Sequence, residues 1–290
     1  ASFQAISATG AIPVACDIEE LNLSVSLKDA ELRLTPNTKA IMVVHYSGAV
    51  GDFDAVLEFS KKNNLRVIED AAHAFGSSYK GQKIGSFGDI TCFSFDGIKN
   101  ITSGEGGCIV SDDSELNARI RDARLLGVEK DTEARFSGKR SWEFDVSRQG
   151  WRYHMSNIMA AIGRVQFARA EELGAKRQLL ARRYVGQLAK NDKVRPLLMD
   201  FTAIIPHIFV VRLSANINRD KLRAALELQG IETGVHYQPN HSLSFFKQTN
   251  RAPFTVLEKV FPTLLTLPMH PDLELTDVDF VINTLNELLR

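Results

Sequence analysis

The chain has 290 residues, 35 Lys+Arg balanced by 35 Asp+Glu, and 44% hydrophobic residues. That length supports one large domain or two smaller ones with a sizeable core, and the balanced charge gives no field to recruit nucleic acid or an anionic membrane. No apolar run is long enough to span a bilayer, and Cys16, Cys92 and Cys108 lack metal-ligand spacing, so they read as buried thiols of a cytoplasmic protein.

Phe3 to Thr9 reads as a helix stopped by Gly10, and Ile12 to Ile18 as a short buried strand. The apolar run Ala40-Ile41-Met42-Val43-Val44 is what a parallel strand covered on both faces needs. Asp52 or Asp54 opens a helix with Phe53, Val56, Leu57 and Phe59 as its apolar positions, and Asn63-Asn64 closes it before a strand over Leu65 to Ile68. Strand, helix, strand is the rhythm of a parallel sheet. Ile90 to Phe93 and Gly107 to Ser111 read as further strands, and Asp113 to Leu126 as a helix ending at Gly127. Residues 129–149 have the composition of a long irregular loop, with Phe136, Trp142 and Phe144 scattered through it.

Met155 to Leu188 is helical, capped by Ser156 and broken at Gly174, and the basic pairs Lys176-Arg177 and Arg182-Arg183 read as solvated helix faces. A strand over His207 to Leu213, a helix from an Asn218 cap to Leu228, an extended piece at Val235-His236-Tyr237 and a final helix over Thr276 to Leu289 follow. The expected division is a large α/β domain over residues 1–165 and a smaller α+β domain over residues 166–290.

Between Val67 and Val110, one acid, one histidine, one serine and one lysine fall near the ends of apolar runs among many glycines. Asp70 follows one strand, and Ser94 and Lys99 follow the next. In an open α/β sheet, ligands bind beyond the carboxyl ends of strands. A lysine placed there suits Schiff-base chemistry with a carbonyl. An upstream carboxylate suits a protonated ring nitrogen, and a hydroxyl beside exposed backbone N–H groups suits a phosphate. Together these meet the needs of pyridoxal phosphate (PLP). On the pattern alone, an ordinary α/β loop with a surface lysine meets it too.

Val67 to Gly76, Tyr79-Lys80-Gly81, Gly85 to Asp89, Ser94-Phe95, Lys99-Asn100 and Gly104 to Gly107 closely resemble the DegT/DnrJ/EryC1/StrS family, PLP-dependent aminotransferases acting on nucleotide-linked keto sugars. The similarity continues through Val44-His45, Met155-Ser156-Asn157, Gly230 to Tyr237 and Leu267 to Pro271, and so covers essentially the whole chain. It implies an α/β fold of the aspartate-aminotransferase type (fold type I), a mostly parallel sheet followed by a smaller C-terminal domain. It also implies roles: Lys99 as the Schiff-base lysine, Asp70 at the ring nitrogen, His73 near the phenolic oxygen, Ser94 at the phosphate, and His236 and Tyr237 near the substrate. Amino transfer from L-glutamate to a keto-deoxysugar nucleotide, in a cytoplasmic homodimer with composite active sites, is the implied activity. The family's dehydratases typically replace the lysine by histidine, so Lys99 argues against that reaction.

Two departures stand out. The family's segment Gly-aromatic-Asn-aromatic-Arg appears as Gly150-Trp151-Arg152-Tyr153-His154. Arg152 could serve the cofactor phosphate or a substrate diphosphate, and His154 is a weaker, pH-dependent cation for the substrate. The first residues read as the interior of a helix, so the family's N-terminal segment, with its phosphate-binding turn and ring-stacking aromatic, is expected to lie outside this sequence. The alternative activity is therefore a non-catalytic cofactor-binding or regulatory fragment.

Overall fold

In the computed structural model, which describes residues 1–87, 89–129, 137–138, 144–247, 249 and 253–290, β1 (Ala40–Val44) and β2 (Arg66–Asp70) pair in parallel, with Val44 opposite Asp70. The helix Phe53–Lys62 joins them. Asp52 caps it by accepting from Ala55 N–H at 3.1 Å, and Phe53 and Val56 bury its inner face in the core with Ile41, Val43 and Val67. Full burial of a phenylalanine such as Phe53 contributes about 2–3 kcal/mol. A hairpin of β3 (Ser78–Tyr79) and β4 (Gln82–Lys83) turns through Lys80 and Gly81, both with positive φ, the conformation that matches strand twist in a two-residue turn.

β5 (Ile90–Ser94) lies parallel to β2 with Asp70 opposite Cys92, and β6 (Gly107–Val110) runs antiparallel to β5 with Ser94 opposite Gly107. The sheet order is β1-β2-β5-β6. Because β1, β2 and β5 run the same way, Val44, Asp70 and Ser94 end at one edge of the sheet.

A second sheet, β7 (Val194–Pro196), β8 (Phe209–Leu213) and β9 (Leu264–Leu267), is antiparallel throughout. Helices Ala170–Leu188, Arg219–Leu228 and Leu275–Leu288 cover it, supplying Tyr184, Leu226 and Leu285 to a core with Phe209, Val211 and Leu265. Tyr184 stacks on Phe209 at 4.6 Å, and its hydroxyl donates to the Pro268 carbonyl at 3.0 Å.

Five expectations need correction or placement. Ile12 to Ile18 is not a strand. Ile18 makes only an isolated bridge to Val25, and Ile12 and Val14 are 69% and 53% exposed. Order here comes from Asp17, whose buried carboxylate accepts from Val256 and Leu257 N–H at 2.9 Å each, at the start of the helix Thr255–Val260. The helix expected to reach Leu126 ends at Ala123; Leu126 adopts a left-handed φ of 65°, and Trp151 N–H takes the Ala123 carbonyl.

The long helix breaks at Arg169, between Asn157–Ala168 and Ala170–Leu188, not at Gly174. Gly174 is instead a close approach: a Cβ there would stand 2.6 Å from Ile205 Cδ1. Arg177 is not solvated but 4% exposed, with Nη1 donating to the Pro206, His207 and Met269 carbonyls at 3.4, 3.0 and 3.3 Å. Burial lowers its pKa to about 10. The loop expected over residues 129–149 lies largely outside the described residues, Phe136 and Trp142 included.

Candidate active site

Asp70 closes β2, with its carbonyl accepting from His45 N–H at 3.0 Å. Its carboxylate receives two donors: the Ser2 hydroxyl at 2.6 Å on Oδ2 and Ala72 N–H at 3.2 Å on Oδ1. Beneath it, the fully buried Glu69 ties β2 to β5 and to the residue that follows β1, with Oε2 2.7 Å from His45 Nε2 and Oε1 accepting from the Thr91 hydroxyl at 2.6 Å. These contacts lock the strand ends in relative position.

His73 follows on the turn after β2 and is buried. Ser47 N–H donates to its Nδ1 at 3.3 Å, which assigns the imidazole proton to Nε2, 3.2 Å from the Tyr237 hydroxyl. Burial, with Lys99 and His236 nearby, lowers the His73 pKa to about 3. His207 packs against it with ring centroids 4.4 Å apart, is equally buried, and leaves Nδ1 without a partner. Burial first, then His73 and Lys99, lowers its pKa to about 2. Both rings are neutral across the physiological range.

His236 and Tyr237 arrive from the second sheet. His236 Nδ1 is 2.9 Å from Thr266 Oγ1 on β9, and its carbonyl accepts from the Tyr46 hydroxyl. Burial and then Lys99 lower the His236 pKa; burial, with Asp70 and Asp96 nearby, raises that of Tyr237.

Ser94 closes β5. Its Oγ accepts from Asp96 N–H at 3.3 Å, leaving the hydroxyl proton available, and Lys99 N–H donates to the Asp96 carbonyl at 3.1 Å. Lys99 Nζ has no hydrogen bond or ion pair among the described residues. Its pKa is lowered because burial outweighs Asp96 and Asp70. The next residue, Asn100, is buried and donates to the Phe75 and Ile205 carbonyls at 3.1 and 3.3 Å, pinning the lysine segment to the sheet edge.

The structure thus brings Asp70, His73, Lys99, His236 and Tyr237 into one electrostatic cluster, with Ser94 on the Lys99 turn. Arg152 and His154 stand apart. Both are exposed, on an extended segment held along residues 123–126 by Trp151, Tyr153 and a bridge from Arg152 to Leu125, and no hydrogen bond or ion pair joins them to the cluster among the described residues. Ser2, Tyr46, Glu69 and His207 are residues of the site that sequence reasoning missed. A lone histidine or hydroxyl without a spacing partner carries no signal of its own.

The model of the DegT/DnrJ/EryC1/StrS aminotransferase family matches residues 1–286. The chain belongs to that family. It is 34% identical over 284 residues to MJ1066 of Methanocaldococcus jannaschii, covering 96% of this chain and 74% of that one. Among solved structures it is similar to Helicobacter pylori PseC, an aminotransferase in pseudoaminic acid biosynthesis, with a TM-score of 0.90 and 28% identity over 98% of this chain and 75% of that one. The PLP form of Spr1654 from Streptococcus pneumoniae gives 0.89 and 28% over 98% and 77%. The parallel-cored sheet with its smaller C-terminal α+β unit is the fold-type-I arrangement of these DegT-family structures.

Proposed function

We propose that this cluster is the catalytic centre of a PLP-dependent sugar-nucleotide aminotransferase, with Lys99 as the catalytic lysine. The observation that carries the assignment is Lys99 itself. It is a half-buried amine with a lowered pKa and no ion pair among the described residues, set beyond the strand ends among Asp70, His73 and His236. A lysine so placed is available as a nucleophile at lower pH than a surface lysine.

The donor set fits the cofactor. Asp70 offers a carboxylate to the ring nitrogen, Lys99 an unpaired amine to the aldehyde carbon, and Ser94 a free hydroxyl proton to a phosphate oxygen. When bound, PLP supplies an electron sink for the carbon that loses its proton. Lys99 Nζ would hold that proton and move it between the substrate and cofactor carbons. His73, a neutral Nε2–H tautomer whose proton goes to the Tyr237 hydroxyl, stands near the phenolic edge and adds no second cation beside Lys99. His236 and Tyr237 hold the substrate side. In a homodimer, the exposed Arg152 serves the cofactor phosphate or the substrate diphosphate of the partner copy's site, and His154 the substrate there. L-Glutamate is the donor and a keto-deoxysugar nucleotide the acceptor, in the cytoplasm. No helix among the described residues is long and apolar enough to cross a membrane.

The half-reaction tests this. Adding L-glutamate to the PLP-loaded protein should shift the cofactor absorbance and release 2-oxoglutarate, and a keto sugar nucleotide should reverse the shift. A protein that holds PLP on Lys99 yet responds to no amino donor would be a cofactor-binding protein and not a transaminase.

A further inference from the structure

We propose that Ser2 is the positioning residue for Asp70, its hydroxyl holding the carboxylate in the orientation that keeps the cofactor's ring nitrogen protonated. This rests on the reading of Asp70 given above. The main chain of Asp70 is held on both sides, by pairing with Val44 and Cys92 and by the His45 N–H bond to its carbonyl. Its carboxylate is not held by the sheet, because the last torsion of an aspartate is broad and roughly two-fold.

Two donors remove that freedom. Ala72 N–H is local, two residues on, and sits at 3.2 Å from Oδ1. The Ser2 hydroxyl comes from 68 residues earlier in the chain and sits at 2.6 Å from Oδ2, the shorter contact. A carboxylate offers about four lone-pair sites, so each oxygen keeps one for a ring N–H. The carboxylate can only accept, which makes Ser2 the donor.

Ser2 is itself anchored. It opens the helix Ser2–Ala8, Ala5 N–H bonds to the Ala1 carbonyl at 2.9 Å, and the neighbouring Phe3 packs edge-on against Phe246 at 5.2 Å. A seven-residue helix is marginal alone, and the Phe3–Phe246 contact ties it to the rest of the fold beside Asp70.

The test is the ring-nitrogen resonance of 15N-labelled PLP bound to the full chain at one fixed pH. Asp70→Asn should move the signal to that of an unprotonated ring nitrogen. Ser2→Ala should lower the ratio of protonated to unprotonated nitrogen about tenfold, the scale of one hydrogen bond to a charged group. Ser2→Thr should restore it, and Ser2→Cys, of similar size but a weak donor, should fall between. A normal signal in Ser2→Ala and Ser2→Cys beside a shifted one in Asp70→Asn would overturn the role of Ser2 and leave Asp70 intact. No shift in Asp70→Asn would overturn the assignment of Asp70 itself. Should Ser2→Ala fail to fold, the Thr and Cys pair decides, because equal signals from the two would contradict the proposal.

Discussion

The Tyr237 hydroxyl meets His73 Nε2 at 3.2 Å, joining a residue of the second unit to the turn after β2. Since Ser47 N–H occupies Nδ1 of the same ring, the tyrosine oxygen is the acceptor in this contact. Tyr237→Phe removes one neutral hydrogen bond, on the order of 1 kcal/mol. It should lower kcat/KM about fivefold with little change in unfolding midpoint, because the tyrosine is half exposed. A double-mutant cycle with His73→Gln should show coupling between the two positions, and strict additivity would sever the link.

Acid should destabilise the protein through its buried imidazoles. His73 and His207 have folded pKa values near 3 and 2, against 6.5 ordinarily. Below about 6.5 the unfolded chain binds protons that the folded chain refuses. Stability from this source is therefore complete above that pH and falls as pH drops toward about 3, by up to about 1.4 kcal/mol per pH unit for each ring. Urea midpoints between pH 7 and pH 5 should fall less steeply in His207→Gln than in the parent.

Glu69 on β2 holds β5 through Thr91 and the end of β1 through His45. Glu69→Ala leaves both partners buried without an acceptor, and should cost about 3 kcal/mol in denaturant unfolding. Thr91→Val should cost less, since His45 keeps its bond to the carboxylate. Equal losses would show that the network does not centre on Glu69.

Ile205 Cδ1 sits between Gly174 and Gly76, at 2.6 and 2.7 Å from where their Cβ atoms would stand. In an open helix, glycine to alanine stabilises by about 1 kcal/mol. Here Gly174→Ala should lose that gain, because the new Cβ would stand 2.6 Å from Ile205 Cδ1 and force the isoleucine tip to turn aside. Adding Ile205→Val, which deletes that methyl, should recover part of the loss.

Much of this was legible in the sequence because it lay in continuous apolar runs. Ala40 to Val44, Ile90 to Phe93 and Phe209 to Leu213 can be little other than strands. Asp70 follows from where the run Leu65 to Ile68 stops, and Ser94 and Lys99 from where Ile90 to Phe93 stops. What stayed hidden depends on partners far along the chain. Ile12 to Ile18 has strand composition but no neighbouring strand among the described residues. β9 is only Leu264–Leu267, too short for its period to distinguish it from a helix turn. Lys176 and Arg177 adjoin in sequence, yet a helix turns about 100° per residue, so one points to solvent and the other into three carbonyls. His207 and Ser2 are chemically informative only once the fold sets them beside His73 and Asp70.

The central claim is that Lys99 is the lysine that bonds the cofactor. Incubation with PLP, reduction with borohydride and peptide mapping test it directly. The account predicts one phosphopyridoxyl group, on Lys99, and none in Lys99→Ala. A label on another lysine, or an unlabelled Lys99 in protein that has bound the cofactor, would contradict it.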